Sequence, residues 1–361
     1  MHAMSYRLYL FVTAGAVSAL CLACAALAFW LQPITGDLTR LGGYPESEFG
    51  WDGEQMRFSP PIAPVAVLGR AYDVVVVGDS FSMPVETTTQ PRPDDKTHWT
   101  DFFKARTQLS VASFNRDRVP LERYLASDGF LQTPPKLLVV EYAERTLQWA
   151  PIKNTEPCAT LAPAPAHAMH LPLSASPLQP QAYDRDQSHR LDTGRIDNAV
   201  DFLTKNVPRW IAGVNTTQVS TQALSRGNLF TSNRSTELLV FADDFVKANL
   251  PETYLQSLAC YFTEVQSRVE ANGTTKFVLM IAPDRTTAYG AYLPALHLSN
   301  LTARLAKTKG LSIMRLDQVM EAAVQSGVRD VYYPSDTHWA SAGMVIAADS
   351  LIRFVDPPAR P

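Results

Sequence analysis

No excess of positive charge marks this sequence. Lysine and arginine number 32 against 35 aspartates and glutamates, a formal net charge of -3, and the pI is near 6.2. A chain so balanced offers no electrostatic footprint for the phosphates of a nucleic acid. Cysteine is scarce: there are four in 361 residues. Cys21 and Cys24 fall inside an apolar run, as small lipid-facing or packing residues. Cys24 is a poor lipobox match, because Cys21 stands where an aliphatic residue is wanted. That leaves Cys158 and Cys260, which either pair in an oxidising compartment or stay as two buried thiols. After residue 32 no apolar run is long enough for a second membrane span. There is no heptad and no internal repeat, which excludes a coiled coil and a solenoid.

What is present divides the chain. Arg7 precedes a run from Leu8 to Leu31 without a single charge, enough helix to cross the roughly 30 Å hydrocarbon core. The run reads as a signal anchor at residues 1–31. Ala26-Leu27-Ala28 has the small-x-small form of a cleavage site, so a cleaved signal peptide is the alternative. Either way, the rest of the chain is expected on the far side of the membrane. Hydrophobic residues make up 46% and charged residues 19%, a composition that supports a large core. The 26 prolines cluster in irregular regions. Residues 32–70, with Gly42, Gly43, Pro45 and Pro60-Pro61, read as an irregular linker anchored by Trp51 and Phe58.

From residue 71 onward, strands and helices alternate. The apolar runs Asp73–Val77, Leu109–Ala112, Lys136–Glu141, Phe277–Ile281 and Leu311–Leu316 predict five strands buried on both faces. Helices are expected at 99–106, 121–126, 238–248, 252–273, 292–308, 319–325 and 340–354. This alternation predicts an α/β fold with a parallel, doubly wound sheet of about five strands. Its active site belongs outside the carboxyl ends of the strands. Residues 150–235, rich in Pro, Ser, Thr, Asn and Gln with little periodicity, read as an insertion into the 71–361 domain.

Two motifs carry chemistry. Gly78-Asp79-Ser80-Phe81-Ser82 follows the first strand directly and puts Ser80 at the ligand edge of the sheet. Serine is a weak nucleophile unless a base takes its proton. Asp336-Thr337-His338-Trp339, just before the last helix, supplies one: an Asp two residues before a His can hold Nδ1 and leave Nε2 for the serine. Asp95-x-x-His98 reads instead as the N-terminal cap of the helix at 99. His167 and His170 have no third ligand and read as loop residues, so neither a metal nor a cofactor is expected.

On these residues the sequence resembles the SGNH hydrolase superfamily. More narrowly, GDSFS with DTHW resembles the alginate O-acetyltransferases AlgJ and AlgX. The stretches Val139–Arg145, Pro283-Asp284-Arg285 with Tyr289, and Ala340–Gly343 are similar to that family too. In the alginate enzymes the Asp-x-His segment precedes the serine. Here it follows, the order of ordinary SGNH hydrolases, and circular permutation relates the two. The resemblance implies a three-layer, SGNH/flavodoxin-like fold behind one transmembrane helix. It implies Ser80 as nucleophile, His338 as general acid/base and Asp336 as its orienter. Ser113-Phe114-Asn115 stands where the usual glycine block would be, which makes Asn115 a candidate oxyanion donor. Glu141 and Arg145 are near-site residues, read as a structural ion pair. Trp339 either stacks on a sugar, walls the pocket or packs in the core. The implied activity is acetyl transfer through acetyl-Ser80 to an exported or cell-envelope polysaccharide, with a membrane-bound O-acyltransferase as acetyl source. The implied location is the periplasmic face of the inner membrane. The same residues also allow an esterase or deacetylase, or a non-catalytic scaffold of a secretion complex.

Overall fold

The computed structural model describes residues 6–30, 34–82, 97–152, 169–174, 178–185, 187, 194–294 and 299–357. Five strands form the central sheet: Val74–Gly78 (β1), Val111–Asn115 (β2), Leu137–Ala143 (β3), Lys276–Ala282 (β4) and Ile313–Met314 (β5). Their order is β2-β1-β3-β4-β5 and every pairing is parallel. This is the expected doubly wound sheet. Strand order reverses between β1 and β3, so a crevice opens there at the carboxyl ends.

Alternation along the strands builds three layers. Val74, Val76, Val139 and Met280 share one core with helices Trp99–Arg106 (α3), Leu316–Gln325 (α6) and Ser341–Val355 (α7). Val75, Val77, Val140 and Leu279 face the other core. There Glu252–Glu270 (α5) buries Leu255, Leu258, Phe262, Val265 and Val269, the 3.6-residue stripe visible in the sequence. Ahead of the domain stands Tyr6–Trp30 (α1). Its stretch Leu8–Ala26 is long and apolar enough to cross a membrane, with nothing of it buried.

Three expectations need correction. Residues 238–248 are not a helix: Glu237–Phe241 is a strand paired antiparallel with Val219–Ala223, followed by a 3-10 turn over Ala242–Asn249. A short aliphatic run carries no period that separates strand from helix. Of the helix expected at 292–308, Leu301–Leu305 is helical, while 295–298 lie outside the described residues. The insertion is also not structureless: it holds a 19-residue helix, Gly194–Ala212 (α4).

The approach segment is folded into the domain. Asp37–Gly42 (α2) and Glu46–Phe49 are helical, and Leu38 and Phe49 are buried in a small core with Val219 and Leu239. Buried Arg185 ties this segment to the insertion, donating to the carbonyls of Trp51 (2.9 Å) and Glu46 (3.2 Å). Cys260, in α5, is disulfide-bonded. Cys158, His167 and Asp95 lie outside the described residues.

Candidate active site

Ser80 follows β1 in a tight turn made rigid from three sides. The Asp79 carboxylate accepts from the N–H of Phe81 (3.2 Å) and from that of Ala143 at the end of β3 (2.9 Å). Arg116 Nη1 lies 3.4 Å from the same Asp79 oxygen that takes Ala143. The N–H of Asp79 and the hydroxyl of Ser82 both donate to Glu141 Oε2, at 3.0 and 2.7 Å. Gly78 leaves room for that carboxyl: a Cβ there would sit 2.5 Å from Oε2. Two strands therefore hold the serine turn at their common edge.

His338 meets it from the opposite end of the chain. Its Nε2 lies 2.7 Å from Ser80 Oγ and its Nδ1 2.5 Å from Asp336 Oδ1. The same Asp336 oxygen accepts the backbone N–H of His338 at 3.0 Å. The loop is closed by Tyr333 donating its N–H to the His338 carbonyl (3.2 Å) and Asp336 donating its own to the Tyr333 carbonyl (3.2 Å). Ser80 and His338 are half-buried and reachable, while Asp336 is buried. Phe81 packs 5.0 Å from the imidazole and 4.7 Å from Trp339, ring centre to ring centre.

A second carboxylate beside Asp336, which sequence reasoning missed, stands behind the histidine. Asp37 opens α2 and accepts the N–H (2.8 Å) and hydroxyl (2.5 Å) of Thr337. Its Oδ2 lies 3.8 Å from His338 Nδ1. The N-terminus of α2 also receives the Ser335 carbonyl, from the N–H groups of Leu38 (2.9 Å) and Thr39 (3.2 Å). Gly36 permits the approach, since a Cβ there would lie 2.1 Å from the Ser335 oxygen. Burial alone lowers the His338 pKa, but the charge and hydrogen bond of Asp336, with Asp37 behind, outweigh it and hold it above the ordinary value. Asp37 is itself raised, by burial and then by the Asp336 charge.

The ligand atoms of Asp37, Asp336 and His338 lie within 4.8 Å of one another, close enough to suggest a cation. Their atoms are already engaged, however: Nδ1 by Asp336 and the Asp37 oxygens by Thr337. The set works as an orienting system for the imidazole.

The remaining expected residues fall into different places. Asn115 ends β2, in register with Gly78. Its Oδ1 accepts the N–H of Asp117 at 2.9 Å, which leaves the amide Nδ2 as donor. Glu141 and Arg145 do not pair with each other. Strand β3 runs on to Ala143, so their spacing is not a helical turn, and Glu141 serves the serine turn. Burial, then the Asp79 charge, pushes Glu141 well above the carboxylate range. Arg145 instead lies 3.2 Å from Asp284 and 3.9 Å from Asp244. Burial alone lowers its pKa, but Asp284 and then Asp244 outweigh it and hold it raised. Burial and then the Asp284 charge push Asp244 up to about 8. Behind them Lys247, fully buried, bonds Glu144 (2.9 Å) and stands 3.3 Å from Asp284. Trp339 is 1% exposed and packs in the core below the site, with no face to offer a sugar. At the start of α3, His98 forms a capping box with Asp101.

A serine turn after the first strand of such a sheet, facing an Asp–His loop ahead of the last helix, is the arrangement of an SGNH hydrolase-like domain. Residues 239–358, about one third of the chain, match the family described as "ALGX: SGNH hydrolase-like domain, acetyltransferase AlgX". That stretch is therefore similar to the SGNH hydrolase-like domain of an acetyltransferase family. The matched stretch holds β4, β5 and the Asp336–His338 loop, while Ser80 comes from β1 outside it. No curated protein and no solved structure matches the chain.

Proposed function

We propose that this protein is an O-acetyltransferase that works through an acetyl-Ser80 intermediate on an exported or cell-envelope polysaccharide. The observation that carries the proposal is the unbroken line from Asp336 through His338 to Ser80, with contacts of 2.5 and 2.7 Å. Asp336 fixes the tautomer with hydrogen on Nδ1, so that Nε2 takes the serine proton. Ser80 Oγ attacks the acetyl carbonyl of the donor. The developing oxyanion is held by the Ser80 N–H and the Asn115 amide. Collapse expels the donor's leaving group, which takes the proton from His338. A sugar hydroxyl then gives its proton to His338 and attacks acetyl-Ser80, and the departing Ser80 Oγ takes that proton back from His338. Nothing in this cycle calls for a metal or a cofactor.

Apolar α1 supports an anchored protein with its domain on the periplasmic face of the inner membrane. The disulfide at Cys260 suits an oxidising compartment. A membrane-bound O-acyltransferase is the partner that would deliver acetyl there. The chain order, serine first, also suits an esterase or deacetylase. The two readings separate by the fate of the acetyl group. With a labelled activated acetyl ester and a panel of oligosaccharides, the transferase reading expects label on sugar hydroxyls. Label released only as acetate, whatever glycan is present, makes the protein an esterase.

A further inference from the structure

Helix α4 has two faces with different tasks. One is fixed to α2: Lys205 Nζ donates to the Arg40 carbonyl (2.7 Å), Asn206 Nδ2 to that of Gly43 (2.6 Å) and Arg209 Nη2 to that of Gly42 (2.9 Å). The other carries Val200, Leu203, Val207, Trp210 and Ile211, continued by Val214, all between 43% and 82% exposed. At 100° per residue these positions fall on one stripe, about 100° wide, the width of a stripe that is ordinarily covered. Among the described residues outside α1, no other helix leaves such a row bare.

What covers it follows from where the helix stands. α1, apolar and unburied along Leu8–Ala26, packs beside α4. Only residues 31–36 join α1 to α2, a span of at most about 25 Å. Since α2 is bonded to α4, the tether that holds α1 in a bilayer also keeps α4 at its surface. An amphipathic helix there lies in the plane of the interface, apolar side into the acyl boundary. Trp210, with an apolar ring and one N–H, suits that depth.

We propose that the exposed stripe of α4 is seated in the interface of the bilayer that α1 crosses, as a second, monotopic contact. The contact sets the attitude of the domain, because α4 holds α2 and α2 holds the Asp336–His338 loop through Asp37. This inference stands on α1, α2 and α4 and does not depend on the acyl-transfer reading.

The test uses the full chain in nanodiscs of phosphatidylethanolamine and phosphatidylglycerol, with Cys21 and Cys24 changed to Ala. An environment-sensitive dye is placed at Leu203→Cys or Ile211→Cys. The control is Thr274→Cys, exposed just before β4 at the amino end of the strands, away from the carboxyl-end loop that α2 holds. The proposal expects dyes at 203 and 211 to lose emission to a nitroxide on the lipid acyl chain and to resist aqueous iodide, with the reverse at 274. Iodide quenching at all three positions would overturn it, since the stripe would then be bare. Shielding of 203 and 211 from both quenchers would overturn it equally, since a protein surface would then cover them.

Discussion

Asp37 and Asp336, near opposite ends of the chain, are locked together: the N–H of Asp37 donates to Asp336 Oδ2 at 3.2 Å, while the Asp37 carboxylate holds Thr337, the next residue along. The segment that follows α1 thus becomes part of the support for the histidine. In the proposed mechanism Asp37 acts through Asp336, Thr337 and His338, as a positioning residue.

Replacing Asp37 with Asn tests that support. The Asp37 charge helps raise the His338 pKa, and acylation needs neutral His338. Without the charge, the acid limb of the rate of Ser80 acylation moves to lower pH. One charged hydrogen bond on Thr337 is lost too, worth about 1.5 kcal/mol or roughly tenfold in the plateau rate. A pH series of single-turnover acylation measures both. An unmoved limb would show that Asp37 does not influence the imidazole.

Glu141 separates charge from hydrogen bonding. Its folded pKa is raised by burial and by Asp79, so the folded state binds the proton more tightly than the unfolded one. Stability from this group is present below the unfolded pKa and falls as pH rises through the window up to the folded value. Glu141→Gln keeps an acceptor for Asp79 and Ser82 and removes that slope. Glu141→Ala leaves both donors without their acceptor, the Ser82 hydroxyl in a buried position, where the loss costs about 1–3 kcal/mol. Urea unfolding of the detergent-solubilised protein from mildly acidic to alkaline pH measures the difference.

Asn115→Ala removes the proposed side-chain oxyanion donor and leaves Ser80 and His338 untouched. Acylation is expected to slow by about 10²–10³-fold, with the unfolding midpoint shifted only by the lost turn bond to Asp117. A rate within about twofold of the parent would place the second donor elsewhere, since a true oxyanion donor costs far more.

Lys247→Met breaks the buried cluster behind the site. Glu144 and Asp284 lose a cation held at 2.9 and 3.3 Å among side chains that are all fully buried. Removing one partner of a buried pair costs about 3–5 kcal/mol. The unfolding midpoint in urea should fall accordingly, and acylation with it, because Asp284 also carries Arg145.

The parts of this site visible in the sequence are those whose meaning is local. Ser80 is tied to the end of an apolar strand and Asp336 to His338 by a spacing of two, so five strands and two short motifs suffice to bring them together. Asp37 was not legible, because its role comes entirely from tertiary contact between a Gly- and Pro-rich approach and a loop at the other end of the chain. Arg145 misleads for a related reason: four residues after Glu141, it suits an ion pair across one helical turn, but strand β3 continues two residues further. Helix α4 was hidden by its neighbourhood. Val200, Leu203, Val207 and Ile211 recur at helical spacing, yet they sit in a stretch whose overall composition reads as loop.

The most direct test of the central claim is the intact mass of the full-length protein after mixing with an activated acetyl ester. The account predicts one added acetyl group, mapped to Ser80, absent from Ser80→Ala and greatly slowed in His338→Ala, and lost again when an acceptor glycan is added. A folded protein that never acylates at Ser80 would contradict it and leave the fold as a scaffold in polysaccharide secretion.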